Sequence, residues 1–160
     1  MKFTRENLVQ IWGVLNGLTA EKTTAKGAYG IAKNKRIVDS EVKSIEEAQK
    51  NQKLPDGIEE FESKRIELCK KMADKDEEGN PMVANNSFVL VQNKQKFDKK
   101  LEKLRKDYDE PISLREKQDK EFQDFLKEEV EIDFHTINVN DLPDNVTAQQ
   151  IGILDEIIVD

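Results

Sequence analysis

The sequence predicts an α+β protein that is mainly α: an N-terminal antiparallel helical arm, then a small antiparallel β-sheet with flanking helices. Three observations carry this. Apolar residues recur at helical spacing through three stretches between residues 4 and 73. Short β-prone runs on either side of Asn85-Asn86-Ser87 then replace the helical pattern. Later, Val130, Ile132 and Phe134 alternate strictly with Glu131, Asp133 and His135, as in a half-buried strand.

The first helix spans residues 4–18. Thr4 is its expected N-cap, and Leu8, Ile11, Trp12, Leu15 and Leu18 fall on one face. Trp12 is expected to anchor this helix against the next. A turn over residues 19–25 leads to a second helix that starts between Glu21 and Gly27 and ends near Asn51. Its apolar positions include Tyr29, Ile31, Val38, Val42 and Ile45. Gly27 and Gly30 sit inside it, at a cost of about 1 kcal/mol each relative to alanine. That cost points to close packing, with the first helix as the expected neighbour.

Leu54-Pro55-Asp56-Gly57 is turn chemistry. A third helix, 58–73, follows with Phe61, Leu68, Cys69 and Met72 inward, and the short break implies an antiparallel hairpin. Residues 4–73 thus read as the arm and residues 74–160 as a cap within one domain. Gly79, with its tolerance of positive φ, and Pro81, which lacks an amide proton, end the arm. The runs 82–83 and 88–91 make a hairpin. Residues 94–108 resume a helix, Pro111 interrupts it, and the Ser113–Glu116 capping box restarts it to about Glu128. The strand at 130–138 is expected to join 88–91 in a three-stranded antiparallel sheet, since an isolated hairpin is marginal. A loop at 142–145 and the Thr147–Gln150 capping box open a last helix carrying Ile151, Leu154, Ile157 and Ile158.

Composition narrows the function. Over 160 residues, 36% are hydrophobic and 37% charged, against about 45–50% and about 25% in ordinary domains. The core is therefore thin and the solvated surface large, a combination that favours self-association. The net charge of −7 is unevenly spread. Residues 1–53 carry 10 basic and 6 acidic side chains, residues 54–110 carry 12 and 14, and residues 111–160 carry 4 and 13. An acidic chain is a poor general ligand for nucleic acid, because phosphate contacts supply most of that affinity. The basic first third still offers a local patch, and its contrast with the acidic last third would suit head-to-tail pairing of subunits. A single cysteine, Cys69, forbids an internal disulfide and fits a reducing interior. No apolar run approaches the roughly 20 residues that span a bilayer.

The residues of a type that carries chemistry read mostly as structure. Asp74, Asp76, Glu78 and Gly79 match the first half of a calcium loop, but its twelfth position is Asn85 and Pro81 interrupts it, so a solvated turn is expected. His135, the sole histidine, has no cysteine or histidine companion and is expected on the exposed face of its strand. No Gly-rich phosphate loop or nucleophile motif is present. No cofactor, metal site or catalytic residue is therefore expected, and the chain reads as non-enzymatic.

The Asp74-Lys-Asp-Glu-Glu-Gly-Asn-Pro81 break after a helical arm, the hairpin and helix beyond it, and the Glu128-Glu-Val-Glu-Ile132 strand set a recognisable order of parts. With Tyr29-Gly-Ile-Ala-Lys-Asn34, that order resembles small uncharacterised proteins of tailed bacteriophages. The resemblance covers most of the chain. It implies a phage setting, in the host cytoplasm or the virion, and a role in assembly or host interaction. It implies no chemistry. The expected partner is a protein, met through the acidic face of Glu129, Glu131 and Asp133, with self-association by the arm. Two other readings stand beside it. Lys22, Lys26, Lys33, Lys35 and Arg36 would meet nucleic-acid phosphates, or an oligomer interface would sequester a nucleotide immune signal.

Overall fold

The computed structural model describes residues 1–160, and the fold is α+β and mainly α, with six α-helices and three pairs of very short strands. Two compact units divide the chain. The first is formed by residues 1–52 together with 121–160, and the second by residues 53–120. This division differs from the expected one at residue 73. The first two helices of the arm belong to one unit and the third to the other.

The first unit begins with a strand that periodicity did not reveal, β1 (Lys2–Thr4). It leads directly into α1 (Arg5–Leu18), which Thr4 caps by accepting from the Asn7 N–H, with the Asn7 side chain answering back to the Thr4 N–H. The next helix, α2 (Ala25–Lys50), is capped by Thr24. Contacts between α1 and α2 run in opposite directions along the chain. Arg5 Nε lies 3.9 Å from Glu41, Trp12 Nε1 donates to Asp39 Oδ1 at 2.6 Å, and Leu18 borders a small hollow with Ala28 and Ile31. The pair is antiparallel, and Trp12 is the half-buried anchor that its position predicts.

The rest of this unit comes from the far end of the chain. β4 (Glu129–Glu131) pairs antiparallel with β1 in the register Lys2↔Glu131, Phe3↔Val130, Thr4↔Glu129. β5 (Ile137–Asn138) pairs in parallel with β6 (Ile158–Val159). Between them, α6 (Ala148–Leu154) opens on the expected Thr147–Gln150 capping box. It ends earlier than its apolar spacing implies: residues 155–157 form a 3₁₀ turn, and Ile158 is in a strand. Phe3, Leu8, Ile11, Leu15, Leu18, Ile31, Val38, Phe134, Ile137, Leu142, Leu154 and Ile157 form one core. Phe3 and Phe134 meet edge-to-face with centroids 5.1 Å apart, a geometry worth about 0.5–1.5 kcal/mol beyond area burial.

The expected three-stranded sheet does not form, and local hydrogen bonding explains why. β1 takes the ladder of β4. The run that begins at Val130 then stops after Glu131, because buried Asn34 of α2 holds the His135 backbone in place of a strand. Its amide nitrogen donates to the His135 carbonyl at 2.7 Å, and its oxygen accepts from the His135 N–H at 2.8 Å. His135 is consequently half-buried rather than exposed. The same segment explains the glycines of α2. A Cβ on Gly27 would fall on the Asp141 carbonyl oxygen, and one on Gly30 would stand 2.8 Å from Ile137 Cγ1. Close packing is the reason for both, but the neighbour is the 135–141 segment and not α1.

The second unit is helical with a hairpin. α3 (Ile58–Met72) buries only Ile58 and Phe61, and Cys69 is half-buried. The hairpin of β2 (Val83–Ala84) and β3 (Ser87–Phe88) turns on Asn85 and Asn86, both at positive φ (49° and 60°), as a two-residue turn between twisted strands requires. Asp74 is buried, and its carboxylate accepts from the Val91 and Gln92 N–H groups at 2.9 and 3.1 Å. Asp76 Oδ1 accepts from the Glu78 and Asn80 N–H groups. Residues 75–80 are an exposed turn, as expected, while buried Asp74 clamps the backbone and uses up the amides that a longer strand through Val91 would need.

The helix α4 (Lys94–Asp107) packs antiparallel on α3. The Phe61 and Tyr108 rings lie 5.9 Å apart, and Leu68 meets the Lys100–Leu104 turn. α5 (Asp109–Lys127) starts four residues before the expected capping box. Pro111 sits in its first turn, where a missing N–H costs no helical bond, so Ser113 lies inside the helix and caps nothing.

Two substitutions test this packing. Gly27→Ala should destabilise the protein by about 1–3 kcal/mol, the usual effect of forcing a methyl into filled space. Gly13→Ala on α1, where nothing lies within 4 Å, should stabilise it by about 1 kcal/mol. Thermal melts followed by circular dichroism read both. Asn34→Ala should lower the midpoint further, since each buried backbone group left unpaired costs about 1–3 kcal/mol.

Candidate functional site

The acidic row is exposed but not free of counter-charge. Glu129 and Glu131 point outward on β4 either side of half-buried Val130, and Asp133 is exposed beyond the strand. The pairing of β1 with β4 brings the chain's own cations alongside. Lys2 Nζ lies 3.6 Å from Glu129, and Arg5 pairs with Glu128 while its guanidinium stacks 4.2 Å above the Phe125 ring. The Lys2 pair is solvent-exposed and worth little in stability. Its consequence is that the row is a mixed rather than a purely acidic surface.

Four of the five basic candidates are exposed. Lys26, Lys33 and Arg36 share the outward face of α2 with Tyr29, which is 60% exposed, and Lys22 lies in the turn before the helix. Lys43 continues the face toward the C-terminal end of α2. None of these cations forms a salt bridge, and Lys33 Nζ stands 5.9 Å from the centre of the Tyr29 ring. Lys35 departs from this group. It is half-buried, with its ammonium 5.7 Å from the Trp12 ring, and so serves the α1–α2 contact.

A cleft of about 410 Å³ lies at the foot of this face, lined by Lys26, Tyr29, His135, Asn138, Asp141 and Val159. The His135 and Tyr29 rings meet edge-on at 5.6 Å. Asp141 accepts from Thr24 Oγ1 at 2.6 Å, which sets its carboxylate at the N-terminus of α2. Negative charge is favourable there, and the protein supplies it from within. An anionic ligand entering this cleft would meet that carboxylate.

The structure adds a site that the sequence analysis missed, a groove of about 260 Å³ between α3 and α4. Leu68 and Leu104 line it with Lys64, Lys100, Lys103 and Asp107. α4 carries seven Lys or Arg against three Asp or Glu. That local excess is the available signal, and averaging over residues 54–110 hides it. Lys64 is already engaged: its ammonium is 2.7 Å from Glu60 and donates to the Tyr108 hydroxyl at 2.6 Å. The hydrogen bond to Glu60 holds the Lys64 ammonium above its usual range, and the hydrogen bonds from Lys64 and Tyr108 hold the Glu60 carboxyl below its own.

No helix is long and apolar enough to cross a membrane. Compared with protein-family models, curated proteins and solved structures, the chain matches none.

In a carboxyl-resonance NMR titration Glu60 should titrate below the ordinary glutamate range. Tyr108→Phe should move it part of the way back, and Lys64→Gln further, because Lys64 supplies the larger share of the depression.

Proposed function

We propose that this chain is a non-enzymatic accessory protein that works by protein–protein contact. The observation that supports it is where apolar side chains remain exposed. Leu54, Ile66, Met82, Val83, Val91 and Leu114, six of the eleven large exposed hydrophobics, fall within residues 53–120. In that unit neither α4 nor α5 fully buries a residue. Apolar side chains left uncovered in a unit with few buried residues favour contact with another protein wherever they adjoin one another. In the phage setting that the resemblance implies, the role would be that of an assembly factor, a minor structural component or a modulator of a host protein. Sedimentation velocity and pull-down from host lysate test the reading. The wild-type chain should self-associate or retain a protein, and the Ile66→Asp/Leu114→Asp double variant should lose it. A strict monomer that retains nothing overturns the proposal.

The unpaired cations of α2 favour a second reading, contact with nucleic acid. Lys22, Lys26, Lys33 and Arg36 meeting four phosphates of duplex DNA predict a log–log salt slope of about −3.6. Gel shifts across a salt series measure it, and no binding at about 50 mM salt removes this reading.

A further inference from the structure

The apolar row of α4 is spaced for a partner that the protein does not fully provide. Phe97, Leu101, Leu104 and Tyr108 recur at helical period, yet each is only half-buried. Flanking them, Lys96, Lys100 and Lys103 occupy one face at i, i+4 and i+7. The ion pairs of α4 engage only three of its seven cations. Lys94 is paired with Asp98, Lys106 with Glu102, and Arg105 with Glu116. Lys96, Lys99, Lys100 and Lys103 form no salt bridge, because basic residues outnumber acidic ones on the helix by seven to three. Across the groove, Leu68 of α3 faces Leu104. The result is an apolar floor with a basic wall, between two antiparallel helices.

From this geometry, and resting on the protein-contact reading above, we propose that the α3–α4 groove docks an acidic amphipathic helix of a partner protein. Two antiparallel helices leave a furrow that a third helix fills by seating its ridges between theirs, and an amphipathic helix binds such a groove through anchors on one face. The volume of about 260 Å³ is below the roughly 300–1,000 Å³ of small-molecule sites, so it suits side-chain anchors better than a free ligand. The charge pattern specifies the guest further. Leucine-like anchors enter over Leu68 and Leu104, carboxylates face Lys100 and Lys103, and a cationic or neutral residue faces Asp107 at the C-terminal end of α4. An anionic membrane is the weaker fit, because a bilayer needs a protruding apolar face and this row is recessed between helices.

The test uses the full chain and fluorescence anisotropy with a labelled synthetic helical peptide, leucine on one face and glutamate on its flank. Saturable binding should weaken by about tenfold or more when the peptide's glutamates become glutamine, or when the protein carries Lys100→Glu/Lys103→Glu. Lys33→Glu on α2 should leave binding unchanged. The reversed lysines are exposed, and circular dichroism verifies that the variant is folded. Absence of peptide binding overturns the proposal. So do binding indifferent to the charge reversal and binding of phosphatidylserine vesicles in place of the peptide. If the Ile66→Asp/Leu114→Asp variant loses lysate capture while the lysine reversal does not, the groove assignment fails alone. If the wild-type chain is a strict monomer that captures nothing, the broader protein-contact reading fails as well.

Discussion

The first unit depends on one side chain reaching across 101 positions of sequence. Asn34, wholly buried, donates to and accepts from the backbone of His135. A carboxamide has one donor edge and one acceptor edge, spaced like those of a peptide group, so it can stand in for a neighbouring strand. That substitution lets the chain leave β4, pass close over α2 and reach β5 with both backbone groups of His135 satisfied. Gly27 and Gly30 clear the space for the passage, and Ile137 and Leu142 fill the core beyond it. Without the amide, the His135 N–H and carbonyl would each be left unpaired at about 1–3 kcal/mol.

The second unit is held in another way. Ile58, Phe61, Ala73 and Asp74 are its buried residues. Asp74 repeats the strategy of Asn34, a buried polar side chain that satisfies backbone amides, here those of Val91 and Gln92. Ion pairs on the helix surfaces add little stability individually. A unit with few buried apolar groups has less to lose when it opens locally. It also retains half-covered apolar rows that another chain can complete. The thin core anticipated from the composition is thus unevenly distributed between the two units.

Helices were legible because their signals are local. Apolar spacing, the capping residues Thr4 and Thr147, and the turn residues at 54–57 and 79–81 act within a few positions. Strand partners were not, because pairing is decided far along the chain. β1 has only three residues, too few to show a period, and Val130 carries no mark of whether Phe3 or Phe88 lies beside it. The same limit separated the site candidates. Lys26, Lys33 and Arg36 could be placed on one face by counting, whereas Lys35 could be assigned to Trp12 only from coordinates. The groove lysines were hidden by summation over a long window. Asn34 offered no cue, since polarity inside a helix usually signals solvent.

The first unit is also discontinuous, which has a consequence during translation. Phe3, Leu8, Ile11 and Ile31 leave the ribosome before residues 53–120 have been made, and Phe134, Ile137 and Leu154 only afterwards. At about 5–20 residues per second this gap lasts roughly 3 to 14 s. Throughout it, the nascent α1–α2 hairpin lacks the part of its core that Phe134, Ile137 and Leu154 supply, and Asn34 lacks its His135 partner. Completion of this core waits for residues 134–157, and until then its apolar side chains stand open to water.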